Sequence, residues 1–314
     1  MRPTLSIVSF TTLSGTGFGL WFWIALRIAL GDRAQWFDGL GWALGLIAGA
    51  ALVVIGTLAS LWHLGKPTRV WRAFSQWRSS WMSREGVFAL AAFAVALATL
   101  AIQSTWIELP NEALVLRAVA ALLAMLCAAA VYSTAMIYAS LPPIPAWQHR
   151  FVVPAYLLFA ALGGGILFGP FAGTTLDVPN LANAGVAVGA AVLWWIKHRY
   201  WRDIDRTPLP HDTGDAVGLP GRRVSTFERP HTEANFVVRE MVFVFARKHA
   251  ERLRIVAGVL FAGIPALCAL VAWLLPNANT TLALWIAVLA FQLGAMVERW
   301  LFFAEAKHIV SLYY

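Results

Sequence analysis

Charge is what this sequence has least of. Asp, Glu, Lys and Arg make up 13% of its 314 residues, against roughly 25% in an ordinary soluble domain, and that excludes a water-soluble globule. Cysteine is nearly absent. Cys127 and Cys268 are the only two, both inside apolar runs where a thiol packs as a small hydrophobe. An iron–sulfur cluster needs four thiolates at recognisable spacings, so the chain is expected to hold none of its own. Histidine is missing from the middle of every apolar run: His63, His149, His198, His211, His231, His249 and His308 fall at run ends or between runs. A haem held between helices wants facing histidines well inside, so no haem is expected. Charge is missing from the run centres too. Arg27, Arg117, Glu298 and Arg299 lie near run ends, where long side chains reach back to the interface. No ladder of ionisable groups crosses the middle, which argues against ion pumping.

What fills the chain is apolar. Hydrophobic residues are 60% of the total, gathered into eight runs at 5–30, 39–62, 85–106, 113–140, 150–170, 180–200, 254–275 and 280–303. Each has about 20 residues, the length that crosses a bilayer core as a helix, and a lipid-exposed segment must satisfy its own backbone. Turn signals such as Gly31-Asp32, Pro110-Asn111, Pro142-Pro143 and Pro276-Asn277 separate them. The expected fold is all-α: a single polytopic membrane domain of eight transmembrane helices, with one long loop over 201–253. The first run is too long for a signal peptide and has no clear cleavage site after it, so it reads as a retained helix.

Orientation follows from the cations. With both termini in the cytoplasm, 21 of the 24 Lys and Arg fall inside, and only Arg27, Arg33 and Arg117 fall outside. The positive-inside rule therefore places the termini in the cytoplasm. The same bias accounts for the net charge of +8 as an inner-leaflet surface, and no base-reading motif points to nucleic acid.

Gly41, Gly45 and Gly49 stand one helical turn apart, a small-residue stripe that lets a neighbouring helix of the same chain approach closely. The sixteen tryptophans read mostly as interface anchors. Trp21, Trp23, Trp36 and Trp42 are expected outside, and Trp147, Trp194, Trp195 and Trp201 inside. Trp62, Trp71, Trp77 and Trp81 crowd more densely than anchoring requires, so a flat aromatic ligand stacking there is a competing reading.

That cluster lies in the segment holding the chemistry. His63 stands where the second run ends and Glu85 where the third begins, with Lys66 and Arg69 between them. A hairpin of this length brings His63 and Glu85 to one depth at the inner interface, where a quinone headgroup sits. Quinone chemistry moves two electrons and two protons. It wants a hydrogen-bonding group that titrates usefully, a role that suits His63, a carboxylate relay such as Glu85, and cations such as Lys66 and Arg69 against developing negative charge. Spacing alone fits blander roles at least as well: Glu85 as a favourable charge near a helix N-terminus capped by Ser83, and His63 as a polar end-residue.

The stretch His63-Leu64-Gly65-Lys66-Pro67 with Arg69, followed by Ser83-Arg84-Glu85, resembles the loop of DmsC-type anchor subunits of dimethyl sulfoxide reductase, within the wider NrfD-like group of quinone-interacting membrane proteins. The opening Ser6–Gly15 and the closing Glu298-Arg299-Trp300-Leu301-Phe302-Phe303 are similar to the same family, so the likeness spans nearly the whole chain. It implies a bacterial inner-membrane anchor that binds a quinone through His63 and Glu85, with Lys66, Arg69, Trp71 and Trp77 lining the site. It also implies two partners: an iron–sulfur subunit with four cubane clusters and a catalytic subunit with a molybdopterin cofactor, so that no catalytic or metal-binding residue is expected in this chain. The long 201–253 loop, with His231-Thr232-Glu233-Ala234-Asn235, departs from the pattern and is expected to dock the iron–sulfur subunit or lie on membrane lipid. A cytoplasmic His63 loop fits the cytoplasm-facing relatives, the sulfite dehydrogenase anchors of SoeC type, better than the exported dimethyl sulfoxide reductases. From a different class comes a small-solute transporter, which would carry broken helices and midplane polar groups in corresponding halves. Neither is evident in the sequence.

Overall fold

The computed structural model describes residues 3–31, 41–61, 66–104, 110–172, 179–207, 209–225, 227–228, 245–275 and 280–313. Its regular elements are all helical: α1 (Leu5–Ala29), α2 (Gly41–Leu61), a 3-10 segment (Pro67–Gln76), α3 (Trp81–Gln103), α4 (Glu112–Ala139), α5 (Val152–Ala172), α6 (Pro179–Arg206), the short α7 (Thr213–Ala216), α8 (Phe245–Gly258), α9 (Ile264–Leu274), α10 (Thr281–Ala304) and a final 3-10 turn (Ile309–Tyr313). A wide π turn, Val259–Gly263, joins α8 to α9 without a break. Pro265 explains it, because proline has no N–H to return to Phe261 four residues back. The ladder resumes one residue wider, with the Ile264 N–H bonded to the Val259 carbonyl.

Among the described residues, seven helical runs are long and apolar enough to cross a membrane: α1 to α5, the joined α8–α9 from His249 to Leu274, and α10. The run expected at 180–200 is a helix, α6, but not one of these seven. Asn180 and Asn183 begin it, and Lys197, His198, Arg199, Arg202, Asp203, Asp205 and Arg206 crowd its end.

Helix length also redraws two expected boundaries. α6 continues to Arg206 and α8 starts at Phe245, so the connection expected over 201–253 is shorter than apolarity alone implied. Backbone hydrogen bonding carries a helix past the point where its side chains turn polar. His231–Asn235 lies outside the described residues.

α1 stands in the middle, against α2, α4, α5 and α10. Two close approaches require glycine. A Cβ on Gly17 would lie 2.8 Å from the Gly49 carbonyl oxygen, and one on Gly49 2.5 Å from the Trp21 ring. On the other side, a Cβ on Gly19 would run into the Ala160 backbone. The α2 glycine stripe is thus spent on packing within the chain, as its spacing led one to expect.

Trp21 was expected at the outer interface but is 1% exposed, and its indole N–H donates to the Leu46 carbonyl at 2.8 Å. Trp23 likewise donates to Ala161 O at 2.7 Å. With no water to hand, an indole N–H between helices takes a backbone carbonyl.

Candidate functional site

One end of the bundle gathers the starts of α3, α5 and α8 and the ends of α4, α6 and α10, tied together by Trp147 Nε1 donating to Phe302 O (3.1 Å), Tyr200 Oη donating to Ala146 O (3.2 Å) and an Arg254–Glu305 ion pair (2.9 Å). The Pro67–Gln76 segment lies at the head of α3. Here Ser80, not Ser83, caps the helix: its side chain accepts from the Ser83 N–H at 3.5 Å. Ser83 sits one turn in, and its hydroxyl donates to the Ala73 carbonyl, pinning the 3-10 segment against the helix. Arg84 braces the same junction, its Nε donating to Trp77 O at 3.0 Å while its guanidinium lies 4.2 Å from the Trp81 ring.

Glu85 is the fifth residue of α3, about 7 Å along the axis from its start. It is buried at 9% exposure. Thr134 of α4 donates a hydrogen bond to its Oε1, and the same hydroxyl lies 3.1 Å from Ala130 O. A threonine has one proton to give. An ionised Glu85 takes it; a protonated Glu85 donates to Thr134 instead and leaves the threonine proton to Ala130. The pair therefore accommodates either state of the carboxyl.

Of the other residues singled out from sequence, Lys66, Arg69, Trp71 and Trp77 are exposed, with Trp71 at 64% and Trp77 at 53%. Arg72 and Arg78 lie over the two rings at 5.5 and 5.8 Å. These side chains form a basic, aromatic surface above Glu85 and do not close around it. His63 lies outside the described residues.

Sequence reasoning missed what lies behind Glu85. Between α1, α4, α5 and α10 is a cavity of about 20 Å³, room for one water. Thr134, Tyr156 and Arg299 line it, with the hydroxyl stripe Thr11, Thr12, Ser14 and Thr16 of α1. Thr12 and Ser14 back-bond to Val8 O and Phe10 O, and Thr16 donates to Gln292 Oε1 at 2.9 Å. Arg299 was expected to reach an interface. It is instead 3% exposed, its guanidinium 3.7 Å from the Tyr156 ring centroid. Glu298, at 1% exposed, pairs with Lys197 Nζ at 2.5 Å, and Lys197 is itself 2% exposed. The available signal was that two opposite charges adjacent in an apolar run need partners, and Lys197 is a cation near the corresponding end of α6.

A wider pocket of about 350 Å³ opens nearby, lined among others by His149, Asp203, Asp205, Arg254, Glu305 and Lys307. His149 Nε2 is 3.4 Å from Asp203. Burial holds the imidazole below its ordinary range although Asp203 opposes this. Arg254 grips Asp205 through two bonds, at 2.5 and 2.9 Å, and Glu305 through one at 2.9 Å. Burial raises the Glu305 carboxyl against the pull of Arg254. No group of metal-ligating side chains occurs among the described residues.

The chain matches the family model described as DMSO reductase anchor subunit (DmsC) over residues 1–304. It is 29% identical to the sulfite dehydrogenase C subunit of Allochromatium vinosum, an alignment covering 100% of this chain and 99% of that protein.

Proposed function

Since the chain belongs to the DMSO reductase anchor subunit family, a family of membrane anchors of molybdoenzymes, we propose that it is the quinone-reactive anchor of a three-subunit molybdoenzyme. In this reading it passes electrons between the membrane quinone pool and an iron–sulfur subunit with four cubane clusters, and the substrate chemistry takes place on a molybdopterin subunit. The observation that carries the reading is Glu85: a buried carboxyl, about one helical turn inside, held by a threonine that serves both its protonation states. That is the group required where a carrier's reduction consumes protons. His63 hydrogen-bonds the carrier from the other arm of the hairpin. Lys66 and Arg69 draw negative charge toward the surface above it, and Trp71 and Trp77 offer flat apolar faces.

Full-length similarity to the sulfite dehydrogenase relative favours sulfite as the electron donor to the complex, with electrons flowing into quinone. The cation distribution supports this reading, in which the His63 loop lies in the cytoplasm of a bacterial inner membrane, with eight crossings and both termini inside. The basic surface of residues 66–78 and the connection between α6 and α8 then dock the iron–sulfur subunit. A dimethyl sulfoxide reductase anchor is the second reading, favoured by the family description itself.

The test is quinone-linked turnover of the purified complex. His63→Ala and Glu85→Gln are each expected to lower it about 100-fold or more, the range for losing a proton-transfer group, with assembly intact. Near-wild-type turnover in both variants overturns the reading.

A further inference from the structure

We propose that Lys197, Glu298 and Tyr156, with the cavity between α1, α4, α5 and α10, form a proton-conducting connection from the Glu305 pocket to Glu85. The proposal deepens the quinone reading and rests on it. Its basis is a set of buried ionisable groups at the same end of the bundle as Glu85. Glu305 lines the open pocket, with its side chain 6% exposed and its Oε2 without a hydrogen-bond partner among the described residues. Seven residues earlier, two helical turns along the same face, stands Glu298, paired with Lys197 at 2.5 Å. Lys197 interacts electrostatically with both carboxyls. Tyr156 feels the charge of both Glu298 and Glu85, and it lines the same cavity as Thr134. Its hydroxyl is buried and interacts with Arg299, and the cavity that Tyr156 lines reaches Thr134, the residue bonded to Glu85.

An ion pair kept only for packing would have its lone pairs filled by protein donors. Here Glu298 Oε2 reaches Arg299 only at 3.7 Å, and Tyr156 lines a space the size of one water. Buried polar atoms short of protein partners are where structural water is held, and water beside hydroxyls and carboxyls carries protons. Arg299 does not take part in transfer, since a guanidinium keeps its proton. It fixes the Tyr156 ring instead.

The balance closes. Reduction of a quinone to a quinol takes two electrons, supplied by the iron–sulfur subunit, and two protons. Glu85 gives one proton to a quinone oxygen and becomes a carboxylate. It is refilled through Thr134, the cavity water and Tyr156 from Glu298, which draws on the Lys197 ammonium. Lys197 recovers its proton from solvent through Glu305. Two passes deliver both protons and leave every group as it began.

The experiment measures quinone-linked turnover of the purified complex in H2O and D2O, with quinone affinity measured separately, for Glu298→Gln, Tyr156→Phe, the double variant Lys197→Met/Glu298→Leu, and Glu85→Gln. Glu298→Gln and the double variant are expected to lower turnover about 10-fold or more and to raise the solvent isotope effect, with quinone affinity unchanged. Tyr156→Phe shifts both readings in the same direction. The double variant removes both charges together, so it assembles even where Glu298→Gln leaves Lys197 unpaired and does not. Wild-type turnover and isotope effect in the assembled relay variants, with Glu85→Gln inactive, overturn the relay alone. Wild-type turnover in Glu85→Gln overturns the quinone site and the relay together.

Discussion

At the scale of single residues, the buried carboxyl of Glu85 depends on one neighbour. Thr134→Val keeps the volume and removes the side-chain donor that the described residues place on it. A buried acceptor stripped of its donor costs about 1–3 kcal/mol, so the detergent-solubilised variant is expected to melt earlier. Its quinone-linked turnover should fall as well, because an ionised Glu85 then loses the hydrogen bond from Thr134. An unchanged melting curve together with unchanged turnover would show that Thr134 does nothing for Glu85. Glu85 itself was legible in the sequence, as an acid beside a basic and aromatic segment. Thr134 was not, since a threonine on an apolar helix carries no mark of which side chain it faces. Glu298 and Arg299 were visible but misplaced. Nearness to a run's end suggested access to water, whereas Tyr156, Phe159 and Phe302 close over the guanidinium and Lys197 neutralises the acid.

Helices come next in scale, and the seam between α1 and α2 is one of the close approaches of this fold. Gly49→Val puts branched carbon where the Trp21 ring already lies. Overpacking a close contact costs about 1–3 kcal/mol, and the displaced ring also loses its bond to Leu46 O. The expected outcome is a melting temperature below wild type for Gly49→Ala, whose single methyl already meets the ring at 2.5 Å, and lower again for Gly49→Val. A wild-type melting curve in both variants would mean the seam is looser than drawn. The glycine stripe was readable because one-turn spacing is a property of sequence. The burial of Trp21 and Trp23 was not, because an indole beside a lipid headgroup and one beside a helix carbonyl look alike in a list of residues. The α3 cap was misread by one turn, because Ser83 is committed to Ala73 and Ser80, three residues earlier, caps the helix instead.

For the molecule as a whole, sidedness decides which substrates the complex meets. A fluorescent protein that matures only in the cytoplasm, fused after Tyr314, is expected to glow; an export-dependent phosphatase at that position is expected to stay inactive. The opposite pair of outcomes would move the His63 loop outside and restore the dimethyl sulfoxide reductase reading. Alternation of apolar and polar runs made the all-helical, membrane-spanning layout legible, though not the count of crossings. It did not reveal which faces meet, since lipid and protein neighbours ask for the same apolar side chains. The wide turn Val259–Gly263 bears on that question. One extra residue in a helix of 3.6 per turn advances the angular phase by about 100°, so α8 and α9 form one rod whose two halves look in different directions. The lower half turns Arg254 toward Asp205 and Glu305 while the upper half lies along α6 and α10. The missing N–H of Pro265 thus sets the aim of an arginine eleven residues upstream.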